Sequence, residues 1–415
     1  MEQVLLKDIC KITMGQSPKS EFYRYTPEGI PFMQGCTTFG KFYPTIDTWT
    51  VQWNKEAQLN DILFTVRAPV GDINYAPCRM AIGRGLAAIH PIKIEREYLY
   101  YLLKYEKRMF LSKSNGSVYD AINIDTLSKM KLNIHDKESR QKIATLLNNY
   151  DVLIENNNSR IQALENAADS LFKEWFIRFR FPGHEKYEKK ESELGKIPCC
   201  FNILKMNDVF EYYVGGGWGS DDSSDEFPVD AYVIRGTDFP LVAKSDVSTC
   251  PYRYHKVSNY TPRKLKENDI VLEISGGTAE QPVGRAVIIT KGVLEQLNDK
   301  VICASFCKLI RPDYSKITKY YFYQWLKYLY DTRIIERYQL QSTGIINFKF
   351  EYFLRKGPVL IPEKELMGLF DKTVKPMRDE IDVLAKKNVL LSKQRDSLLL
   401  KIMGGKLSVE GKEIV

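Results

Sequence analysis

Apolar residues recur at Ile143, Leu147, Tyr150, Ile154, Ile161, Leu164, Ala168, Leu171 and Trp175, in alternating steps of four and three. This is heptad spacing, and it predicts one long amphipathic helix over residues 136–181. No Pro or Gly falls between Gly116 and Pro182. Only Asn157 interrupts the apolar series. The seam returns 227 residues later at Phe370, Val374, Met377, Ile381, Leu384, Asn388, Leu391, Arg395, Leu398 and Ile402. Pro376 lies inside this second helix. An internal proline costs about 3 kcal/mol, so a kink or restart is expected there.

The regions ahead of the two helices repeat one plan. Lys7-Asp8-Ile9 answers Asn207-Asp208-Val209, and Gly15 answers Gly215. Pro31-Phe32-Met33-Gln34-Gly35 answers Tyr232-Val233-Ile234-Arg235-Gly236. Asn60-Asp61-Ile62-Leu63 answers Asn268-Asp269-Ile270-Val271, and Ser114-Asn115-Gly116 answers Ser342-Thr343-Gly344. The order is kept while the offset grows, so the second copy carries loop insertions. Residues 61–66 and 269–274 read as strands, 97–109 and 317–338 as helices, and 112–116 and 341–344 as loops. The plan is globe, rod, globe, rod. Its divisions are residues 1–136, 137–184, 185–362 and 363–415, with a charged linker over 183–198. The fold class is α+β: two repeated globular α/β domains separated by two long helices that form an antiparallel coiled coil.

A chain of 415 residues is long enough for two or three domains. Its net charge of +8 suits an acidic partner such as nucleic acid. No apolar stretch approaches the length of a membrane span, and residues 1–11 hold no secretory core, so a soluble, cytoplasmic protein with no membrane partner is expected. The eight cysteines include no C-x2-C pair and the four histidines lie far apart, so no metal site is expected.

Catalytic motifs are missing. There is no G-x4-G-K-[ST] phosphate loop and no Asn/Asp-Pro-Pro-aromatic methyltransferase motif. Gly215-Gly-Gly-Trp-Gly219 lacks the spacing of a dinucleotide loop and reads as a turn. The recurring features suit binding. Gln34 and Arg235 stand beside glycines at matched loop positions, and these side chains read adenine and guanine by paired hydrogen bonds. Lys41, Arg67, Arg84 and Lys113 flank the first loop; Arg253, Lys256, Lys264 and Arg285 flank the second. Such cations neutralise phosphates, although Arg67 and Arg84 suit internal ion pairs equally well. Ser114, Asn115, Ser342 and Thr343 are further loop candidates for contact with DNA. A scaffold binding only protein through its coiled coil, and the DNA-binding part of a methyltransferase or nuclease, are the alternatives.

The chain resembles the specificity subunits of type I restriction–modification systems. The resemblance rests on Gly15-Gln-Ser-Pro18, Gly29-Ile-Pro-Phe32, Asp61-Ile-Leu-Phe64, Arg67-Ala-Pro-Val-Gly71 and Gly83-Arg-Gly-Leu-Ala87. Later in the chain it rests on Glu193-Leu-Gly-Lys-Ile-Pro198 and Gln394-Arg-Asp-Ser-Leu-Leu399. It implies two target recognition domains, each reading half of a split double-stranded DNA target. Modification subunits, which bring S-adenosylmethionine, would dock on the helices. Restriction subunits would bring ATP- and Mg-dependent translocation and cleavage. It implies no cofactor and no catalysis in this chain itself.

An antiparallel register follows from the seams. Pairing residues whose numbers sum to 545 sets Asn157 against Asn388, Ile161 against Leu384, Leu164 against Ile381, Ala168 against Met377 and Tyr150 against Arg395. Each layer then joins an a to a d position, and the two asparagines meet, which fixes register. From Tyr150 to Trp175 the seam measures about 38 Å, or on the order of eleven base pairs.

Overall fold

The structure is a computed structural model. It describes residues 1–113, 122–278, 281–342 and 345–409, with side chains described except at 108–113, 341, 342 and 345. The chain forms two compact units, Met1–Leu153 with Leu391–Val415, and Ile154–Leu390. Both are mixed helix and sheet.

The first unit is built on an antiparallel sheet with strand order Cys10–Met14, Leu86–Pro91, Ile62–Thr65, Ile73–Tyr75. Residues 62–65 are buried throughout, as a strand covered on both faces requires. A second sheet, of five short strands, pairs Ile30–Met33 in parallel with Met80–Ile82. The second unit repeats both features. Its antiparallel sheet has the order Phe210–Gly215, Cys307–Pro312, Ile270–Glu273, Ala286–Ile288, and Val229–Ile234 runs parallel to Val301–Cys303.

The correspondence reaches single residues. Asn60 and Asn268 both take left-handed backbone, φ 68° and 71°, which Asn tolerates better than most residues. Each precedes a buried aspartate whose carboxylate accepts a backbone N–H three residues upstream, Gln58 to Asp61 and Lys266 to Asp269. The sheet neighbour of each aspartate is basic: His90 Nδ1 lies 2.7 Å from Asp61, and Arg311 donates two hydrogen bonds of 2.7 Å to Asp269. One expected match shifts. The partner of Gly15 is Gly216 rather than Gly215. The backbone N–H of Gly15 bonds Leu86 O and that of Gly216 bonds Cys307 O. A Cβ on either would sit 2.1 Å from a carbonyl oxygen, of Gly83 or Ala304. Both positions exclude a side chain by close backbone approach.

The first long helix spans Lys137–Phe172 and is capped by Asp136, whose Oδ1 accepts from Ser139 N at 3.0 Å. It stops short of the expected Phe181. A π-turn over Lys173–Ile177 follows, and Phe179 is left-handed at φ 58°. The change of winding lets Phe172, Phe176 and Phe181 all enter the core of the second unit. The second long helix, Lys364–Met403, does not restart at Pro376, which is exposed. Val374 and Ile381 on either side are buried, and their burial offsets the lost hydrogen bond.

Both helices contribute to each unit. Within the second, Asn157 Nδ2 donates to Asn388 Oδ1 at 2.8 Å, and Asn388 Nδ2 donates to Asn158 Oδ1 at 2.8 Å. Ile161, Ile381, Leu384 and Ala385 form one buried cluster, with Leu164 packed against it. Arg160 pairs with Glu380, and Arg378 with Glu165. Partner numbers fall as the first helix advances, so the helices are antiparallel there. Within the first unit, Ile143, Leu147, Leu399 and Ile402 share the core. Arg395, set opposite Tyr150 by the spacing, instead ion-pairs with the neighbouring Asp151.

Candidate nucleic-acid interface

In the first unit, backbone hydrogen bonds draw three loops into one surface. Gly83 N bonds Met33 O, Gly85 N bonds Gln34 O, and Val66 N bonds Gly85 O. Gln34, Arg84 and Arg67 therefore project from adjoining turns. All three are exposed, and among the described residues neither guanidinium has a side-chain partner. Among the described residues, the internal ion pairs open to Arg67 and Arg84 from sequence do not occur. Gly83 and Gly85 permit this approach: a Cβ on Gly85 would lie 2.4 Å from Gln34 O.

The segment after Gln34 is pinned from below. Buried Asn74 accepts from Gly40 N at 3.1 Å and donates to Gly40 O at 3.0 Å, while Tyr75 N bonds Phe42 O. Lys41 extends from this loop, with Nζ 5.3 Å from the Phe42 ring centroid and 3.9 Å from Asp151 Oδ1. Lys113, Ser114 and Asn115 lie outside the described side chains, as do Ser342 and Thr343 in the other half. The expected loop at 341–344 is in part a hairpin, for Gln339–Ser342 pairs with Ile345–Phe348.

The second unit keeps the backbone frame and changes the chemistry. Ala304 N bonds Ile234 O, and Ile274 N bonds Phe306 O, as in the first copy. Arg235 thus takes the place of Gln34, but its guanidinium, 36% exposed, is tied to a neighbour. Nε and Nη2 donate to Asp238 at 3.0 and 2.8 Å, and Nη2 also reaches Thr249 O at 2.8 Å. The bidentate face expected to read guanine is spent on a carboxylate three residues away. Asp238 is almost wholly buried, and these bonds hold its carboxyl below the usual range against the opposing effect of burial. Arg285 is internal: it donates to Glu273 at 2.9 and 2.6 Å, and only 16% of its side chain is exposed. As an open phosphate contact it is corrected by that pair.

Arg253, only 11% exposed, and Lys256, 46% exposed, are covered too. The Arg253 guanidinium stacks over Trp218 at 4.6 Å and pairs with Asp221. Lys256 sits over Phe227 at 5.2 Å and pairs with Glu226. Lys264 is exposed, with no side-chain partner among the described residues. Sequence reasoning missed this acidic loop, although Asp221, Asp222, Asp225 and Glu226 stand together in the chain.

Two further observations concern other classes of function. No helix among the described residues is long and apolar enough to cross a membrane, and no metal-ligating cluster occurs among them.

Comparison with known proteins agrees with this geometry. The profile of the type I restriction modification DNA specificity domain matches residues 1–166. The putative type I restriction enzyme MjaX specificity subunit of Methanocaldococcus jannaschii is 39% identical over 163 residues, covering 39% of this chain and 38% of that relative. The match thus spans about two-fifths of that protein's length. The MjaIX specificity subunit of the same organism is 25% identical over 98% of this chain and 93% of its own length. The crystal structure of a type I restriction–modification S subunit from M. genitalium covers 96% of this chain and 95% of its own at 16% identity, with a TM-score of 0.51, a likeness of fold. Residues 1–166 thus match the type I restriction modification DNA specificity domain, and the chain as a whole is similar to type I restriction enzyme specificity subunits.

Proposed function

We propose that this protein is the sequence-specific DNA-recognition subunit of a type I restriction–modification complex. Each unit would read one half of a bipartite duplex target. The two long helices would act as an antiparallel coiled coil that sets the half-site spacing and takes the modification subunits. S-adenosylmethionine, ATP and Mg would enter with the modification and restriction subunits, and this chain would carry no catalytic step.

The observation that carries this reading is one backbone frame used twice with different side chains. Gln34, Arg67 and Arg84 in the first copy answer to Arg235, Ser275 and Ser305 in the second, on the same hydrogen-bonded turns. A reader of two unlike half-sites needs this: constant positioning with variable edges. An enzyme's paired sites would need like chemistry in both.

The test is a domain exchange with readout by methylation. Residues 1–136 are replaced by the equivalent segment of a relative, the chain is co-expressed with modification subunits, and methylated adenines are mapped across a plasmid. One half of the motif should change while the other half and the spacer stay. Change in both halves with methylation retained would overturn independent reading. A chain that binds no DNA in a salt-sensitive way, even with its modification subunits present, would favour a protein-only scaffold.

A further inference from the structure

Beside Gln34 the first unit holds an open cavity of about 250 Å³. Its aromatic side comprises Tyr23 and Phe32, with ring centroids 4.8 Å apart, and Tyr25, 80% exposed. Its polar side includes Gln34, Asp47 and Thr48. Two hydrogen bonds orient these groups. Tyr23 Oη lies 3.3 Å from both Gln34 Oε1 and Pro18 O and shares its one hydrogen between them, while the Gln34 amide nitrogen is left to donate outward. Thr48 Oγ1 donates to Asp47 Oδ1 at 2.8 Å, which leaves Oδ2 to accept. The cavity thus presents one donor and one acceptor, on different residues.

We infer that this cavity is the base-selecting site of residues 1–136, that its ligand is the major-groove edge of an adenine, and that Asp47 is a specificity-determining residue. The inference rests on the DNA-reading function proposed above. Adenine offers N7 as acceptor and N6–H2 as donor on one edge. Gln34 Nε2 meets N7, and Asp47 Oδ2 meets the amino group. The Tyr23 hydroxyl engages one lone pair of the amide oxygen, and Asp47 Oδ2 supplies a second acceptor beside the Gln34 amide nitrogen. Guanine would set its O6 lone pairs against the carboxylate. Thymine would bring O4 to the same place. Cytosine would satisfy Asp47 and leave Gln34 without an acceptor. Tyr25 and the Tyr23–Phe32 pair give the neighbouring base or sugar an apolar wall.

The experiment first maps the methylated motif of the full chain with its modification subunits. Binding of the complex is then measured on duplexes in which each adenine of the half-site assigned to residues 1–136 is replaced singly. Purine removes the amino group and 7-deazaadenine removes N7. At one adenine, each replacement should weaken binding by roughly 5- to 150-fold in the wild type. The variant Asp47→Leu, of similar size and without an acceptor, should lose sensitivity to the amino group and keep sensitivity to N7. Gln34→Leu should show the reverse pattern. Thr48→Val, which only frees the carboxylate, should blur the preference without removing it. The proposal is overturned if Asp47→Leu keeps the wild-type response at every adenine, or if amino-group dependence falls on a cytosine instead. Either result with sequence-specific binding intact sinks the site alone. Loss of all sequence preference in the wild-type complex sinks the wider function.

Discussion

Asn157 and Asn388 meet side chain to side chain in the second unit, with Asn157 Nδ2 donating to Asn388 Oδ1 at 2.8 Å and Asn388 passing its own amide hydrogen to Asn158. Both amides are half-buried between apolar layers. Asn388→Leu would leave the Asn157 and Asn158 amides without that partner, and the expected loss is about 1 kcal/mol. Asn157→Leu with Asn388→Leu should recover the loss, because two aliphatic side chains suit the seam. Urea unfolding of the two single variants and the double variant measures the coupling. Additive effects would show that the amides act separately.

A second polar layer lies in the first unit. Arg395 and Asp151 form an ion pair with only 9% and 1% of their side chains exposed. Tyr101 Oη donates to Asp151 Oδ2 at 2.6 Å, and Arg395 also reaches Asp396. Burial of this kind makes the pair costly to break and nearly neutral to replace. Arg395→Met should destabilise by about 3–5 kcal/mol, because Asp151 keeps its charge in an apolar setting. Adding Asp151→Asn, which still accepts from Tyr101, should restore most of that. A double variant as unstable as the single would assign the loss to packing of the arginine stem.

These layers show where the sequence is legible and where it is not. Heptad spacing is a property of one helix, so it sets Asn157 opposite Asn388 without a structure. It gives no hint that Asp151, one position off the seam, turns inward, since that depends on Tyr101 and Arg395. The repeat is legible because Asn60-Asp61 and Asn268-Asp269 need the same left-handed turn and the same carboxylate-to-backbone bond. The state of Arg235 was within reach, since Asp238 follows it by three residues in a tight turn. Reading it as an open base contact gave weight to its match with Gln34 and none to that local acceptor. Asp47 carries no motif at all. Only the fold of residues 34–48 over Asn74 brings it to the cavity.

Acid sensitivity should follow from His255. It is 1% exposed, and among the described residues neither ring nitrogen has a hydrogen-bond partner. Burial, and then the charge of Arg253, lower its pKa in the folded state. The unfolded chain takes up a proton near its ordinary pKa of about 6.5, while the folded chain resists it. Stability contributed by neutral His255 is therefore complete above that pH and falls as the pH drops below it. Thermal midpoints between pH 5 and 8 should decline on the acid side. His255→Gln, which does not titrate, should flatten the decline. Identical acid slopes in the two proteins would rule His255 out as the source.

The covered cations of the second unit lead to a prediction about DNA. Asp221 pairs with Arg253 and Glu226 with Lys256, and the carboxylate side chains are 80% and 65% exposed. Each cation must release its carboxylate before it can neutralise a phosphate. The equivalent stretch of the first copy balances Lys19 and Arg24 with Glu21 and Glu28, whereas residues 216–228 contain four acids and no cation. Non-specific binding is dominated by phosphate contacts, and each one steepens the dependence of log affinity on log salt by about 0.9. Asp221→Asn with Glu226→Gln should therefore tighten binding to random-sequence duplex and steepen the salt slope by about 2. Discrimination between target and random DNA should stay near the wild-type value, because a penalty that falls on every duplex cancels in their ratio. Fluorescence anisotropy from about 50 to 200 mM salt tests this. If affinity and slope both stay at wild-type values, Arg253 and Lys256 do not reach phosphates, and their pairs with the loop serve the fold alone.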